Sequence, residues 1–97
     1  MVYGAKDLFE AIMMLATPKE AERFFADLCT PQEIKAMKER WKVCQLLDCG
    51  NFSYREISNI TGASTTTVAR VSRFLNNEPH RGYRLLTEKI KKENKNV

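Results

Sequence analysis

One stretch of this sequence concentrates short polar and basic side chains on what would be the outer face of a helix. They are Thr65, Thr66, Thr67, Ala69, Arg70 and Arg73. Threonine hydroxyls bond base edges or phosphates, threonine methyl groups contact thymine, and guanidinium groups bond guanine or phosphate. The chemistry that this set can perform is therefore noncovalent recognition of double-stranded DNA in the major groove.

Apolar spacing around these residues indicates two short helices that face each other. Ile57 and Ile60 are three residues apart, and Val68 and Val71 repeat that step further along the chain. Gly62 lies between the two pairs, where a sharp turn favours a residue that adopts positive φ easily. We therefore predict a helix-turn-helix over residues 53–75, hereafter the helix-turn-helix segment.

Polar residues at the predicted helix starts agree with this. Ser53 and Glu56 have the spacing of a capping box, and Ser64 can cap the second helix. Ser58 is small enough to let the second helix cross closely. A helical hairpin that only packs, or that binds a protein partner, remains the alternative interpretation.

The bulk composition favours one small domain over residues 1–97. The chain has 97 residues, of which 43% are apolar, and a formal net charge of +4. A core of this size is modest for a helical monomer, which favours dimerisation, and the charge agrees with a nucleic-acid partner. The longest apolar run covers only residues 11–16, and the N-terminus lacks the order of a signal peptide. We expect no membrane span and a cytoplasmic protein.

Catalytic and metal-binding residue sets are missing from the sequence. Cys29, Cys44 and Cys49 form no Cys-x-x-Cys pair, and His80 is the single histidine. We predict reduced thiols and no metal, no cofactor and no enzymatic activity, since no acid, base and nucleophile converge.

Helix signals without strand-like alternation predict an all-α fold of about six helices. The first should span Gly4 to Ala16. Thr17-Pro18 and Thr30-Pro31 each pair a threonine cap with proline at the first helical position, which predicts two further helix starts. The second helix should pack through Ala21, Phe24, Phe25 and Leu28.

The third helix should be the longest, from Pro31 to Cys49, with Gly50 as its stop. Its apolar stripe is Ile34, Met37, Trp41, Cys44 and Leu47. Residues 76–79 should break the chain before a final helix that carries Tyr83, Leu86 and Ile90 on one side. The polar tail, residues 91–97, is expected to fray.

From Leu28 onward the chain resembles the Trp repressor family, and within it the YerC/YecD-type branch. The matching marks are Leu28-Cys-Thr-Pro-Gln-Glu33, Arg40, Ser53-Tyr-Arg-Glu-Ile57, Gly62-Ala63, Thr67-Val-Ala-Arg70 and a helix that opens near Pro79. The resemblance implies an intertwined homodimer, in which helices 1–2 and the C-terminal helix serve mainly dimerisation. Two helix-turn-helix segments about 34 Å apart would read a near-palindromic operator.

Matching the family's DNA-facing positions to this sequence implies three further DNA-facing residues. Arg55 joins the second-helix residues named above, and Tyr54 and Ser58 flank them. The resemblance thus implies a homodimeric, sequence-specific transcriptional regulator, most simply a repressor that occludes a promoter.

The family's tryptophan site is only partly matched. Its two arginines correspond to Arg40 and Arg70, but its glycine and serine correspond to Val71 and Phe74, which should fill the space of the indole. We therefore expect regulation without tryptophan. One alternative is a small ligand held near Arg40 and Arg70. The other is two ordinary surface arginines, Arg40 paired with a carboxylate such as Glu33 or Asp48 and Arg70 bound to phosphate.

Overall fold

The computed structural model describes residues 4, 6–77 and 79–95 of the chain. That part of the chain contains no strand, and it forms six helices. They are α1 (Leu8–Ile12), α2 (Pro18–Leu28), α3 (Pro31–Cys49), α4 (Tyr54–Thr61), α5 (Thr65–Asn76) and α6 (Gly82–Lys95). The predicted all-α class with about six helices is confirmed.

The chain divides into two compact units, Met1–Lys35 and Ala36–Val97. The second unit contains the hydrophobic core. Its buried apolar residues are Val43, Cys44, Ile57, Ala63, Val68, Val71 and Leu75. Because these residues come from α3, α4, the following turn and α5, the core joins the helix-turn-helix segment to the second half of α3.

Two of the predicted helix starts are confirmed, and the predicted capping residues form their hydrogen bonds there. Ser53 Oγ accepts a hydrogen bond from the Glu56 amide at 3.1 Å, and Glu56 Oε1 accepts one from the Ser53 amide at 2.9 Å. Thr30 and Glu33 form the same reciprocal pair, at 3.1 and 2.8 Å. The hydrogen bonds from the Ser53 backbone and side chain lower the pKa of the Glu56 carboxyl, since they stabilise its charged form.

The prediction of a first helix from Gly4 to Ala16 is wrong in length. Gly4 has a φ of +62°, and Asp7, which is extended, forms a capping box with Glu10 at the start of α1. At the other end, Glu20 Oε1 accepts a hydrogen bond from the Ala16 amide at 2.8 Å as part of the start of α2. α1 itself has only 5 helical residues, and a turn at residues 13–14 follows it; Ala5 lies outside the described residues.

One of the two isoleucines predicted to face the core does not. Ile57 is fully buried, whereas Ile60 is 47% exposed. A step of three residues turns a helix by about 300°, so the two side chains point about 60° apart. The face of α4 that meets the core therefore includes Ile57 and leaves Ile60 at its edge. The sequence analysis also missed Val43, which is as fully buried as its neighbour Cys44.

The last helix differs from expectation on its apolar face and at its end. Tyr83 is half-buried, but Leu86 and Ile90 are 49% and 38% exposed, while Thr87 is buried. The tail predicted to fray is helical as far as Lys95. Lysines in the last turn interact favourably with the helix dipole, which favours this extension; residues 96–97 lie outside the described part.

Burial of Cys44 predicts a loss of stability at alkaline pH. Burial, reinforced by the charge of Asp48 and opposed by that of Arg84, raises the pKa of the Cys44 thiol from 9.0 to about 11. Between these values the folded chain holds a proton that the unfolded chain has released, so stability present below pH 9 is lost as the pH rises towards 11. Denaturant midpoints measured across this range should therefore fall. A Cys44→Ala variant should fall less over the same range, and equal losses in the two proteins would contradict the assignment.

Candidate nucleic-acid interface

The turn between α4 and α5 is held by side-chain hydrogen bonds. Gly62 ends α4 with a φ of +82°, in the left-handed region. The Ser58 hydroxyl donates to the Ala63 carbonyl oxygen at 2.6 Å. The Thr61 hydroxyl donates to the Ile57 carbonyl oxygen at 2.8 Å and accepts from the Ala63 amide at 3.1 Å. These bonds satisfy the backbone at the end of α4 and fix the angle at which α5 leaves it.

The N-terminal end of α5 presents short hydroxyl side chains to solvent. Ser64 caps the helix by accepting a hydrogen bond from the Thr67 amide at 3.1 Å. Thr65 and Thr66 are exposed, whereas Thr67 is half-buried and its hydroxyl accepts a bond from the Ser64 hydroxyl. Thr65 and Thr66 are therefore the two threonines best placed to meet a base edge. The positive end of the helix dipole at the same place favours a phosphate.

The three residues predicted on α4 differ in availability. Tyr54 is 44% exposed and Arg55 is exposed, so both are accessible. Ser58 is half-buried, and its hydroxyl proton is already donated within the turn. Since phosphate oxygens only accept hydrogen bonds, Ser58 is better suited to shaping the turn than to holding DNA.

Two arginines of α5 lie over one aromatic ring. The guanidinium carbon of Arg70 is 4.9 Å from the centroid of the Phe74 ring, and that of Arg73 is 5.5 Å from it. Both distances are within the range of cation–π attraction. Arg70 and Arg73 are exposed, and so is Ala69 beside them. The ring thus holds two positive charges on the outer side of α5, where the sequence predicts contact with DNA.

A groove of about 500 Å³ lies beside this cluster. Its walls include Arg40, Trp41, Arg70, Val71, Phe74 and Tyr83. Trp41 and Tyr83 stack in it with their ring centroids 6.4 Å apart. Mostly apolar walls with guanidinium groups suit a flat apolar molecule that carries an anionic group.

Charges from both arginines reach the tyrosine in the groove. Burial raises the pKa of the Tyr83 hydroxyl, and the charge of Cys44 adds to this, while the charges of Arg40 and Arg70 lower it. Val71 is buried and Phe74 is half-buried in the wall of the groove. That these two side chains take the place of a ligand stays a prediction.

The structure adds an ion-pair cluster that the sequence analysis missed. Asp48 is paired with Arg84 at 2.9 Å and with Lys91 at 3.0 Å. The suggested ion pair between Asp48 and Arg40 is therefore wrong. No local pattern signals this cluster, because Asp48 and Arg84 are 36 residues apart in the chain.

Two other kinds of site were sought. Over residues 4, 6–77 and 79–95, no three His, Cys, Asp or Glu side chains come together as metal ligands would. Within the same residues, none of the helices has the length and apolar character needed to cross a membrane.

Comparison with known families decides the identity of the fold. The family model described as Trp repressor protein matches residues 4–90. The chain belongs to the Trp repressor family.

Relatives and solved structures agree with membership of the Trp repressor family. The uncharacterized protein YerC of Bacillus subtilis (strain 168) is 46% identical over 69 residues, which cover 71% of this chain and 65% of YerC. The match thus spans less than two thirds of the length of that relative. A TrpR-like protein from Eubacterium eligens ATCC 27750 superposes with a TM-score of 0.80 at 39% identity, covering 87% of this chain and 84% of that one. A Staphylococcus aureus protein proposed to be a Trp repressor superposes with a TM-score of 0.79 at 33% identity, covering 87% of this chain and 82% of that one.

The predicted resemblance to the Trp repressor family and its YerC-type branch is therefore confirmed. The matched region spans all six helices at least in part, including the first two, which the sequence analysis related to the family only by their pattern. The site residues expected by analogy with the Trp repressor stay predictions about binding.

The turn of this Trp-repressor-type segment gives a stability prediction. Gly62→Ala should destabilise the fold by about 1–2 kcal/mol, because an alanine at positive φ is strained. A Cβ at this position would make only an ordinary contact, 3.6 Å from Glu39 Oε2, so the cost is conformational. The measurement is chemical denaturation followed by circular dichroism.

Gly82→Ala provides the matched control. Gly82 begins α6, and a Cβ there would meet nothing within 4 Å. The free energy of unfolding of Gly82→Ala should stay the same or rise slightly, since alanine is the better helix former. Equal destabilisation of both variants would show that the φ at Gly62 is not the cause.

Proposed function

We propose that this chain is a sequence-specific regulator of transcription that binds double-stranded DNA as a homodimer and does not need tryptophan. The observation that carries the proposal is the rigidly capped N-terminus of α5, which exposes Thr65 and Thr66, with Arg73 further along the same helix. Membership of the Trp repressor family supports the choice of DNA over a protein partner. The simplest action is repression by occluding a promoter.

Exposed apolar side chains support the homodimer. In the first unit, Phe9, Met13 and Met14 are 75%, 81% and 69% exposed. In the second, Leu85 and Leu86 on α6 are 56% and 49% exposed. Such side chains are normally covered, and a second copy that offers the same surface would cover them.

Independence from tryptophan is supported by the contact between Arg70 and Phe74. In the family's site two arginines enclose an indole, and here Arg70 already lies over an aromatic ring of its own chain at 4.9 Å. Since the ring is covalently part of α5, the cation–π contact forms without loss of a ligand's translational freedom.

Selection from a pool of randomised duplexes, with and without tryptophan, tests the proposal directly. We expect the same near-palindromic sequence to be enriched in both arms, because the α5 surface is held without a ligand. Enrichment only with tryptophan would contradict the ligand-independent part. No enrichment in either arm would favour the alternative of a helical adaptor that binds protein.

Two substitutions on α5 should separate phosphate contact from base readout. Arg73→Ala should weaken binding to all duplexes and reduce the slope of log K against log salt by about one for each copy in contact with DNA. Thr66→Val keeps the shape and removes the hydroxyl, so it should change the preference among selected sequences by about 1–3 kcal/mol. Fluorescence anisotropy over a range of salt concentrations measures both effects.

Each of these variants serves as the control for the other. They lie on the same helix, and Thr66 and Arg73 are both exposed. Uniform losses on every duplex for both variants, with no change in preference, would refute this division of roles.

A second candidate function follows from the groove beside Arg40 and Arg70. Its volume of about 500 Å³ and its aromatic walls leave space for a small anionic aromatic effector. Calorimetric titration with tryptophan and with other aromatic carboxylates tests this. Heat of binding that is lost in Arg40→Ala would favour an effector-responsive regulator.

A further inference from the structure

The Arg84 side chain of α6 makes three hydrogen bonds at once. Its Nε donates to the Leu75 carbonyl oxygen at 3.1 Å, its Nη1 to Asp48 Oδ1 at 2.9 Å, and its Nη2 to Asn76 Oδ1 at 2.6 Å. Leu75 and Asn76 are the last two residues of α5, and Asp48 lies near the end of α3. One planar guanidinium therefore joins the C-terminal ends of two helices.

This cluster is partly withdrawn from water. The Asp48 side chain is 11% exposed and that of Arg84 is 27% exposed. By contrast, Arg81, which precedes α6, and Glu88 of α6 form a pair at 3.9 Å whose side chains are 67% and 64% exposed. Short bonds from a rigid fork in a half-buried place hold geometry better than a pair of solvated side chains does. The Arg84 side chain is therefore held more firmly than that of Arg81.

The bonds meet α5 at the end opposite to its exposed threonines. The Asn76 side-chain Nδ2 also donates to the Ser72 carbonyl oxygen at 3.0 Å, so the last turn of α5 is bonded both within itself and to α6. The cation also lies at the negative end of the α5 dipole, which is the favourable end. The turn thus holds the N-terminus of α5 to α4, and these bonds hold its C-terminus to α6.

Because α5 is long, a small tilt at its C-terminus displaces the residues at its N-terminus. The 12 residues of α5 span about 18 Å, so a tilt of about 10° at Leu75 would move Thr65 by about 3 Å. A hydrogen bond to a base edge does not tolerate a displacement of that size, whereas attraction to phosphate does.

We propose that Arg84, anchored by Asp48, is a positioning residue that fixes the direction of α5 and so determines how well the protein discriminates among DNA sequences. The inference rests on the proposed function, since discrimination requires that α5 read DNA. The direct effect of Arg84, which is to fix the direction of α5 relative to α3, does not depend on the proposed function.

The first experiment compares affinity for the selected duplex and for an unrelated duplex of equal length at one salt concentration. Arg84→Gln removes the charge and two of the three bonds, and Arg84→Lys keeps the charge without the planar fork. Both variants should lower the ratio of specific to nonspecific affinity by about tenfold. The nonspecific affinity of Arg84→Gln should change only as much as that of Lys89→Gln, which removes one charge from an exposed position of the same helix. The nonspecific affinity of Arg84→Lys should stay unchanged, because the charge is kept.

The ratio distinguishes positioning from plain destabilisation. A variant that is only less stable has fewer folded molecules, so its affinities for the two duplexes fall by the same factor and their ratio is unchanged. Arg84→Lys keeps the test open if Arg84→Gln does not fold. Asp48→Asn should also lower the ratio, because Arg84 loses its charged anchor. The double variant should lower it no further than Arg84→Gln does, because Asp48 acts on α5 through Arg84.

The second experiment needs no DNA. Residual dipolar couplings of backbone amides in α5 and α3 report the angle between the two helices. In Arg84→Gln and Arg84→Lys the α5 couplings should shift or shrink relative to those of α3, with the couplings of Lys89→Gln unchanged.

The two experiments separate the two proposals. The positioning role would be overturned if the α5 couplings of the Arg84 variants equalled those of the wild type. It would also be overturned if the wild-type protein discriminates among duplexes and the variants keep the same affinity ratio. Changed couplings in a protein that prefers no DNA sequence would support the role of Arg84 in orienting α5 and contradict the proposed function.

Discussion

Val43 and Cys44, two adjacent residues of α3, provide the packing on which the helix-turn-helix segment depends. Both are fully buried in the cluster that contains Ile57, Val68 and Val71. Adjacent residues on a helix point about 100° apart, so they offer α4 and α5 a broad surface. The capped turn, the exposed threonines and the Arg84 contacts take their positions relative to that surface. A cavity here would therefore weaken the packing of both α4 and α5.

Features set by neighbouring residues could be predicted from the sequence, and those set by distant packing could not. The capping pair Ser53 and Glu56 and the left-handed Gly62 depend on contacts within four residues, so composition and spacing suffice. The exposure of Ile60 and the burial of Val43 depend on which face meets another helix. The same holds for the candidate site, where the threonines were found from spacing but the bond between Asp48 and Arg84 spans 36 residues.

Phe74 combines two roles that the family resemblance treats separately. The ring lies in the wall of the groove, and it also holds the guanidinium groups of Arg70 and Arg73 at 4.9 and 5.5 Å. In the proposed mode of action, one aromatic side chain both occupies ligand space and orders cations that face phosphate. A change at this position therefore acts on the electrostatics of α5 and on the groove together.

The N-terminal unit has no interior of its own. In the described part of Met1–Lys35, no residue is buried, and its two complete helices have only 5 and 11 residues. Helices of that length are marginal in water by themselves. In the proposed homodimer a second copy would cover these helices, and their folding would be a bimolecular equilibrium in which mass action sets the folded fraction. The amount of protein in the cell would then control how much of it is assembled for binding, so abundance alone could act as a regulatory signal.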